Sequence, residues 1–221
     1  MRSNLILLTG LLLLAGAAQA QLGLRAGLNT ATLTTKAVRD NQEASADART
    51  GYQVGVFYEQ KLTSHLSVVP ELQFSRQQTT LHINDYSVAD GGYMADYRLQ
   101  LSYLQLPVLL RARFGRFYAE AGPQVSLLLA AHENGTEDIG TFVGTYRRDF
   151  DRKATDQYRR FDVGLSAGVG VQLPAGLAVS VRGTAGLLSL TPAQPTRSGY
   201  DGELRSQVVQ ASVSYQLGAR Q

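Results

Sequence analysis

The stretch from Tyr103 to Gly122, YLQLPVLLRARFGRFYAEAG, can fold back on itself at Gly115-Arg116, a two-residue turn suited to an antiparallel hairpin. Closing it there predicts a register rung by rung. One face takes Phe114/Phe117, Ala112/Ala119, Leu110/Ala121, Val108/Pro123, Leu106/Val125 and Leu104/Leu127, all apolar. The other takes Arg113/Tyr118, Arg111/Glu120, Leu109/Gly122, Pro107/Gln124 and Gln105/Ser126, with an arginine directly opposite a glutamate. A period of two means strands whose faces meet different surroundings. A soluble sandwich alternates as well, so the environment has to be read from the whole chain.

The same alternation recurs along the sequence. Leu22, Leu24, Ala26 and Leu28 share a face against Gly23, Arg25, Gly27 and Asn29. Tyr52 to Tyr58 and Leu66 to Phe74 repeat the pattern, with Glu59 and Glu71 on the polar side. Pro70 lacks a ladder donor and predicts a bulge. The apolar parity changes between Leu99/Leu101 and Leu104/Leu106, which predicts another bulge near Ser102-Tyr103. Phe161 to Leu173 and Leu177 to Leu188 pair across Pro174-Ala175-Gly176, and a last strand places Val209, Ala211, Val213, Tyr215 and Leu217 on one face.

Four polar segments, about 33–50, 79–96, 132–157 and 189–203, read as long loops and alternate with short turns. Eight strands with long connections at one end and short ones at the other predict an all-β, eight-stranded antiparallel up-and-down transmembrane barrel. The soluble rival, a lipocalin-like barrel, carries its larger apolar residues inside. Here glycine, serine and charge share one face and the opposite face is almost uncharged, which favours a lipid-facing exterior and a narrow filled lumen.

Residues 1–20 carry Arg2, an apolar run from Leu5 to Ala18 and a small-x-small site at Ala18-Gln19-Ala20. They predict a signal peptide, leaving 21–221 as the barrel domain. Cysteine is absent, which removes disulfides and thiolate chemistry. After the leader no segment reaches 18 consecutive apolar residues, so a helical span is not expected. A net charge of +3 gives no case for nucleic acid.

Candidate chemistry is sparse, and no cofactor or metal site is expected. Gly164-Leu-Ser-Ala-Gly168 matches a nucleophile elbow, but the elbow needs a strand-to-helix turn and this copy alternates as a strand. His65, His82 and His132 have no metal-ligand spacing, and His65 with Ser67 would need a supporting carboxylate. The inward charges carry more information. Arg25, Glu59, Glu71, Arg111, Glu120, Asp162 and Arg182 all fall on the lumen side and should pair, either plugging the barrel or lining a narrow pore. The charges from Arg147 to Lys153 read as a solvated loop tip or as a surface for an anionic ligand.

Tyr103–Arg111, Tyr118–Gln124, Pro70–Ser75 and Phe161–Leu165 together resemble the outer-membrane β-barrel domain common in Bacteroidota, the porin-like or PorT-family barrel of OmpX/OmpA-like architecture. The resemblance implies residence in the cell outer membrane, contact with its lipid and insertion by the barrel-assembly machinery. It also implies an accessory role with a partner in protein secretion, whereas an extracellular ligand is the expectation the long loops themselves raise. Such chains commonly finish on an aromatic residue, whereas here Tyr215-Gln-Leu217 is followed by Gly218 to Gln221.

Overall fold

The computed structural model describes residues 21–36, 42–85, 92–141, 144–190 and 203–217. Residues 1–20, expected to be a signal peptide, the C-terminal four residues and most of the fourth polar segment lie outside them. Among the described residues nine strands run in chain order: β1 (Gln21–Lys36), β2 (Gln42–Lys61), β3 (Leu66–Asp85), β4 (Tyr93–Phe114), β5 (Phe117–Thr141), β6 (Gly144–Lys153), β7 (Phe161–Gln172), β8 (Leu177–Gly186) and β9 (Glu203–Gln216). Every pairing is antiparallel. Eight strands close a ring, with β4 on β5, β5 on β7, and β9 returning to β1. Among the described residues, β6 pairs only with the far half of β5.

The opening hairpin takes its expected register from Phe114↔Phe117 and Arg111↔Glu120 to Leu104↔Leu127. Gly115 supplies φ 61 at its turn, and Gly176 supplies φ 77 in the Pro174–Gly176 connection. The outward face of the ring is apolar and uncharged from Phe114 up to Leu104 on β4. Ten residues at about 3.4 Å rise, tilted by ~40°, give an apolar band of about 26 Å, the height of a bilayer-spanning girdle.

Beyond that band the segments read as loops are largely strand. β1 reaches Lys36, β2 starts at Gln42, β3 runs to Asp85, β4 starts at Tyr93, and 132–157 forms the end of β5 plus β6. These strands escape a hydropathy reading because both their faces carry polar residues, with β6 (GTYRRDFDRK) as the extreme case. The result is a five-stranded sheet that continues past the ring.

Of the two expected bulges, the one at Pro70 is absent and the one near Ser102-Tyr103 is present, with its extra residue on the partner strand. Pro70 pairs with Val108 and the β3–β4 register is continuous through it, so no bulge forms there. At Ser102/Tyr103 the β4–β5 register does shift, yet β4 alternates without a break. The extra residue is on β5, where Leu129 and Ala130 are consecutively exposed. Leu99 and Leu101 therefore point inward, at 0% and 3% exposure, while Leu104 and Leu106 point to lipid. What changes along β4 is the chemistry of the lumen, not the direction of the strand.

Candidate functional site

The lumen is filled in three layers. Nearest the short turns lies the charged layer, carried on β1, β2, β3, β4, β5 and β8. Arg111 donates to Glu120 at 2.7 and 3.0 Å and to Glu59 at 3.0 Å. Glu59 also accepts from Arg113 and, at 3.2 Å, from the Gln216 amide. Arg182 grips Glu71 through two bonds of 2.9 Å and reaches Glu120 at 2.6 Å. Arg25 lies 3.3 Å from Glu71 and 3.7 Å from Glu120.

Glu120 thus sits among three arginines. The pairing register explains this: Glu120 stands opposite Arg111 on β4 and opposite Gly168 on β7, and Gly168 stands opposite Arg182 on β8. A glycine between the two charged rungs leaves room for the guanidinium to cross. Aromatic rings complete the layer. Tyr118 lies under the Arg111 guanidinium at 4.3 Å and occupies the space a side chain at Gly170 would need. Phe57 fills the space over Gly23, with Arg25 5.8 Å from its ring.

The middle layer is neutral. Gln73 donates to Gln105 at 3.1 Å, Gln53 to Ser212 at 3.0 Å, and Ser166 to Gln124 at 3.1 Å. Above it the lumen turns apolar. Leu81, Leu99, Leu101, Leu128, Leu190 and Leu204 cluster there with Tyr97, Tyr103 and Tyr158.

Of the seven inward charges read from sequence, six form one linked cluster and Asp162 stands apart, accepting from the Leu188 amide at 3.3 Å. Arg113 and Gln216 join the cluster without having been expected. Arg113 already faced Tyr118 in the predicted hairpin, and that position was the available signal. The sequence conceals the apolar layer, because Leu99 and Leu101 imitate the parity of an outward apolar face.

The other candidates disperse. Ser166 lies inside β7, hydrogen-bonded to Gln124 and 2.8 Å from the Thr184 hydroxyl, so the Gly164–Gly168 motif makes no elbow. His65 shares a 2.8 Å bond with Ser64 at an exposed turn while Ser67 is buried. His132 contacts Asp151 at 2.6 Å. The charges between Arg147 and Lys153 are mostly spent across the β5–β6 ladder: Arg152 bonds Glu133 at 2.8 Å, Arg147 lies 3.1 Å from Asp138, and Arg148 pairs with Glu137. Burial, with Glu137 close by, pushes the Tyr93 hydroxyl up to about 12, so it remains a donor to that carboxylate.

His82 bridges Asp96 at 2.5 Å and Asp47 at 3.4 Å on the outer face of the sheet extension. The hydrogen bond that its ring N–H donates to Asp96 leads the causes that hold the His82 imidazole above the ordinary histidine value. A raised folded-state value means stabilisation that is complete below about pH 6.5 and fades as pH rises past the folded value. Amide exchange in Thr80–Ile83 should therefore quicken from pH 6 to pH 8 beyond the intrinsic chemical rate. His82→Gln should abolish that excess.

The protein-family comparison decides the wider assignment: residues 17–191 match the model described as outer membrane protein beta-barrel domain. The chain belongs to this family. It is accordingly an outer-membrane protein, and in such barrels the short turns face the periplasm. No curated protein sequence matches it. Among solved structures it is similar to Ail, the attachment invasion locus protein of Yersinia pestis, in complex with the heparin analogue sucrose octasulfate, at 10% identity and TM-score 0.44, covering 90% of this chain and 99% of that one. Neisserial surface protein A gives 9% identity and TM-score 0.48, over 89% of this chain and 97% of that one. OprG from Pseudomonas aeruginosa gives 12% identity and TM-score 0.44, over 90% and 97%.

Proposed function

We propose that this barrel is a non-enzymatic structural and surface-interaction protein whose lumen is closed. The supporting observation is the double seal. An ion-paired layer crosses the lumen near the periplasmic turns, and an apolar layer fills it at the far end. Ions entering from one side would have to break paired arginines; ions entering from the other would have to cross packed leucines and tyrosines. Both steps are expensive in a low-dielectric interior. The sheet extension built on β2 to β6 then offers the surface for a partner. Membership of the Bacteroidota PorT-like group, with an accessory role in protein secretion, is the finer reading carried by the sequence resemblance.

A narrow channel for small solutes is the second reading. The neutral layer favours it, because Gln210 leaves both amide atoms, and Gln53 and Gln73 their carbonyl oxygens, without partners; such groups call for water. Liposomes carrying the refolded protein separate the two. No swelling in glycine or arabinose supports the closed barrel, and swelling graded by solute size supports the channel.

A further inference from the structure

The outward face of β3 and its neighbours changes chemistry within one step of the apolar band. Phe74 pairs with Leu104 at the band's upper edge, and its ring packs 6.3 Å from that of Tyr52. An aromatic pair at that height marks the boundary between hydrocarbon and headgroups. The short turns face the periplasm, so this end of the band meets the outer leaflet. The next outward residue on β3 is Arg76, and the rungs above it bring Arg49, opposite Gln78, and Arg98, opposite Thr80. Two residues advance a strand by roughly 7 Å, so the three arginines start at the headgroup layer.

Their hydrogen bonds draw them together. Arg49 Nε donates to the Thr80 hydroxyl at 3.0 Å, and Arg76 Nη2 donates to the Gln100 amide oxygen. Thr80 is the strand partner of Arg98 and Gln100 lies two residues from it, so both guanidiniums end beside the Arg98 position. Neutral oxygens hold them, and no carboxylate does. Among the described residues, the arginines of the lumen and of the β5–β6 ladder lie against carboxylates, whereas these three form no ion pair. The neighbouring carboxylates are turned elsewhere, Asp47 and Asp96 to His82 and Asp151 to His132. The Arg76 Nε is buried without an acceptor. Like charges gathered at one spot repel one another. A phosphate group that accepts from several guanidiniums relieves both the repulsion and the unmet donor.

We propose that Arg49, Arg76 and Arg98 dock the phosphorylated headgroup of an outer-leaflet lipid, whose acyl chains lie against the apolar band below. A soluble anion is the poorer occupant, because the band holds a lipid at this height and concentrates its phosphate beside the arginines. The site depends on the lipid-facing assignment of this wall and not on whether the lumen conducts.

The test uses bilayers of phosphatidylcholine doped with phosphatidic acid, whose phosphate is a monoester. Native mass spectrometry of the refolded full chain released from them reads which lipid stays bound. The wild type should retain phosphatidic acid in preference to phosphatidylcholine. Combining Arg49→Gln with Arg98→Gln should lower that preference about tenfold. Arg98→Gln alone, which removes no bond within the described fold, should already lower it several-fold. Arg147→Gln, farther out on the same sheet face and paired with Asp138, should keep it. No preference in the wild type, or an undiminished one in the double variant, would overturn the site. So would loss of the preference in millimolar inorganic phosphate, which would mark a soluble-anion site instead.

Discussion

Glu120→Gln should cost the folded barrel about 3–5 kcal/mol, the largest loss expected from any one-atom-scale change in this chain. Glu120 is 3% exposed and is approached by Arg111, Arg182 and Arg25 together. Removing its charge leaves three buried guanidiniums to share two carboxylates, Glu59 and Glu71. The register makes a further demand on charge-swap experiments. Exchanging Glu120 and Arg111 recreates their mutual pair but sets a new cation against Arg182 and Arg25, so the swap should recover only a minor part of the loss. Urea unfolding followed by far-UV circular dichroism is the suitable measurement, since the chain has no tryptophan. A Glu120→Gln barrel as stable as wild type would mean that the cluster is hydrated and weakly coupled.

Arginine placed on the lipid face should cost about 2–4 kcal/mol at the bilayer midplane. Leu106 and Val169, 49% and 62% exposed on the outward face, are the positions to use. Both lie within the uncharged band, Leu106 toward its far end and Val169, the partner of Ala119, toward its turn end. Leu106→Arg and Val169→Arg should reduce the folded, heat-modifiable fraction in membranes several-fold. Gln207→Arg, outward but above the apolar band, should assemble normally. Full assembly of both variants would show that the face assigned to lipid is not embedded in it.

The membrane-spanning half of this fold was legible in the sequence for a simple physical reason. Between lipid and a narrow polar lumen the two faces differ sharply, so Leu104 to Phe114 and Phe117 to Leu127 could be paired correctly from periodicity alone. The far half was not legible, because that contrast reverses and then disappears. Inside the far end, Leu81, Leu99 and Leu101 put apolar residues where the lower lumen carries charge, so their parity imitated an outward face. Past the membrane, strands such as β6 have water on much of both faces and lose their period-two hydropathy. The compensating slip on β5 is hidden in Leu127-Leu-Leu-Ala-Ala131, an unbroken apolar run from which no parity can be read.

The lumen charges were readable as a set because inward residues alternate, but their partners were not. Arg182 reaches Glu71 from five strands away in the chain order, and only closure of the ring brings the two together. Asp162 was grouped with them by parity, yet parity carries no height, and the fold holds it well above the cluster.

Single-channel recording in planar bilayers, on refolded protein whose folding has been verified by heat modifiability, tests the double seal most directly. A closed lumen predicts a silent bilayer across the voltage range, even at high salt. Steady, small, voltage-independent openings in the wild-type protein would contradict it and assign the lumen arginines to permeation.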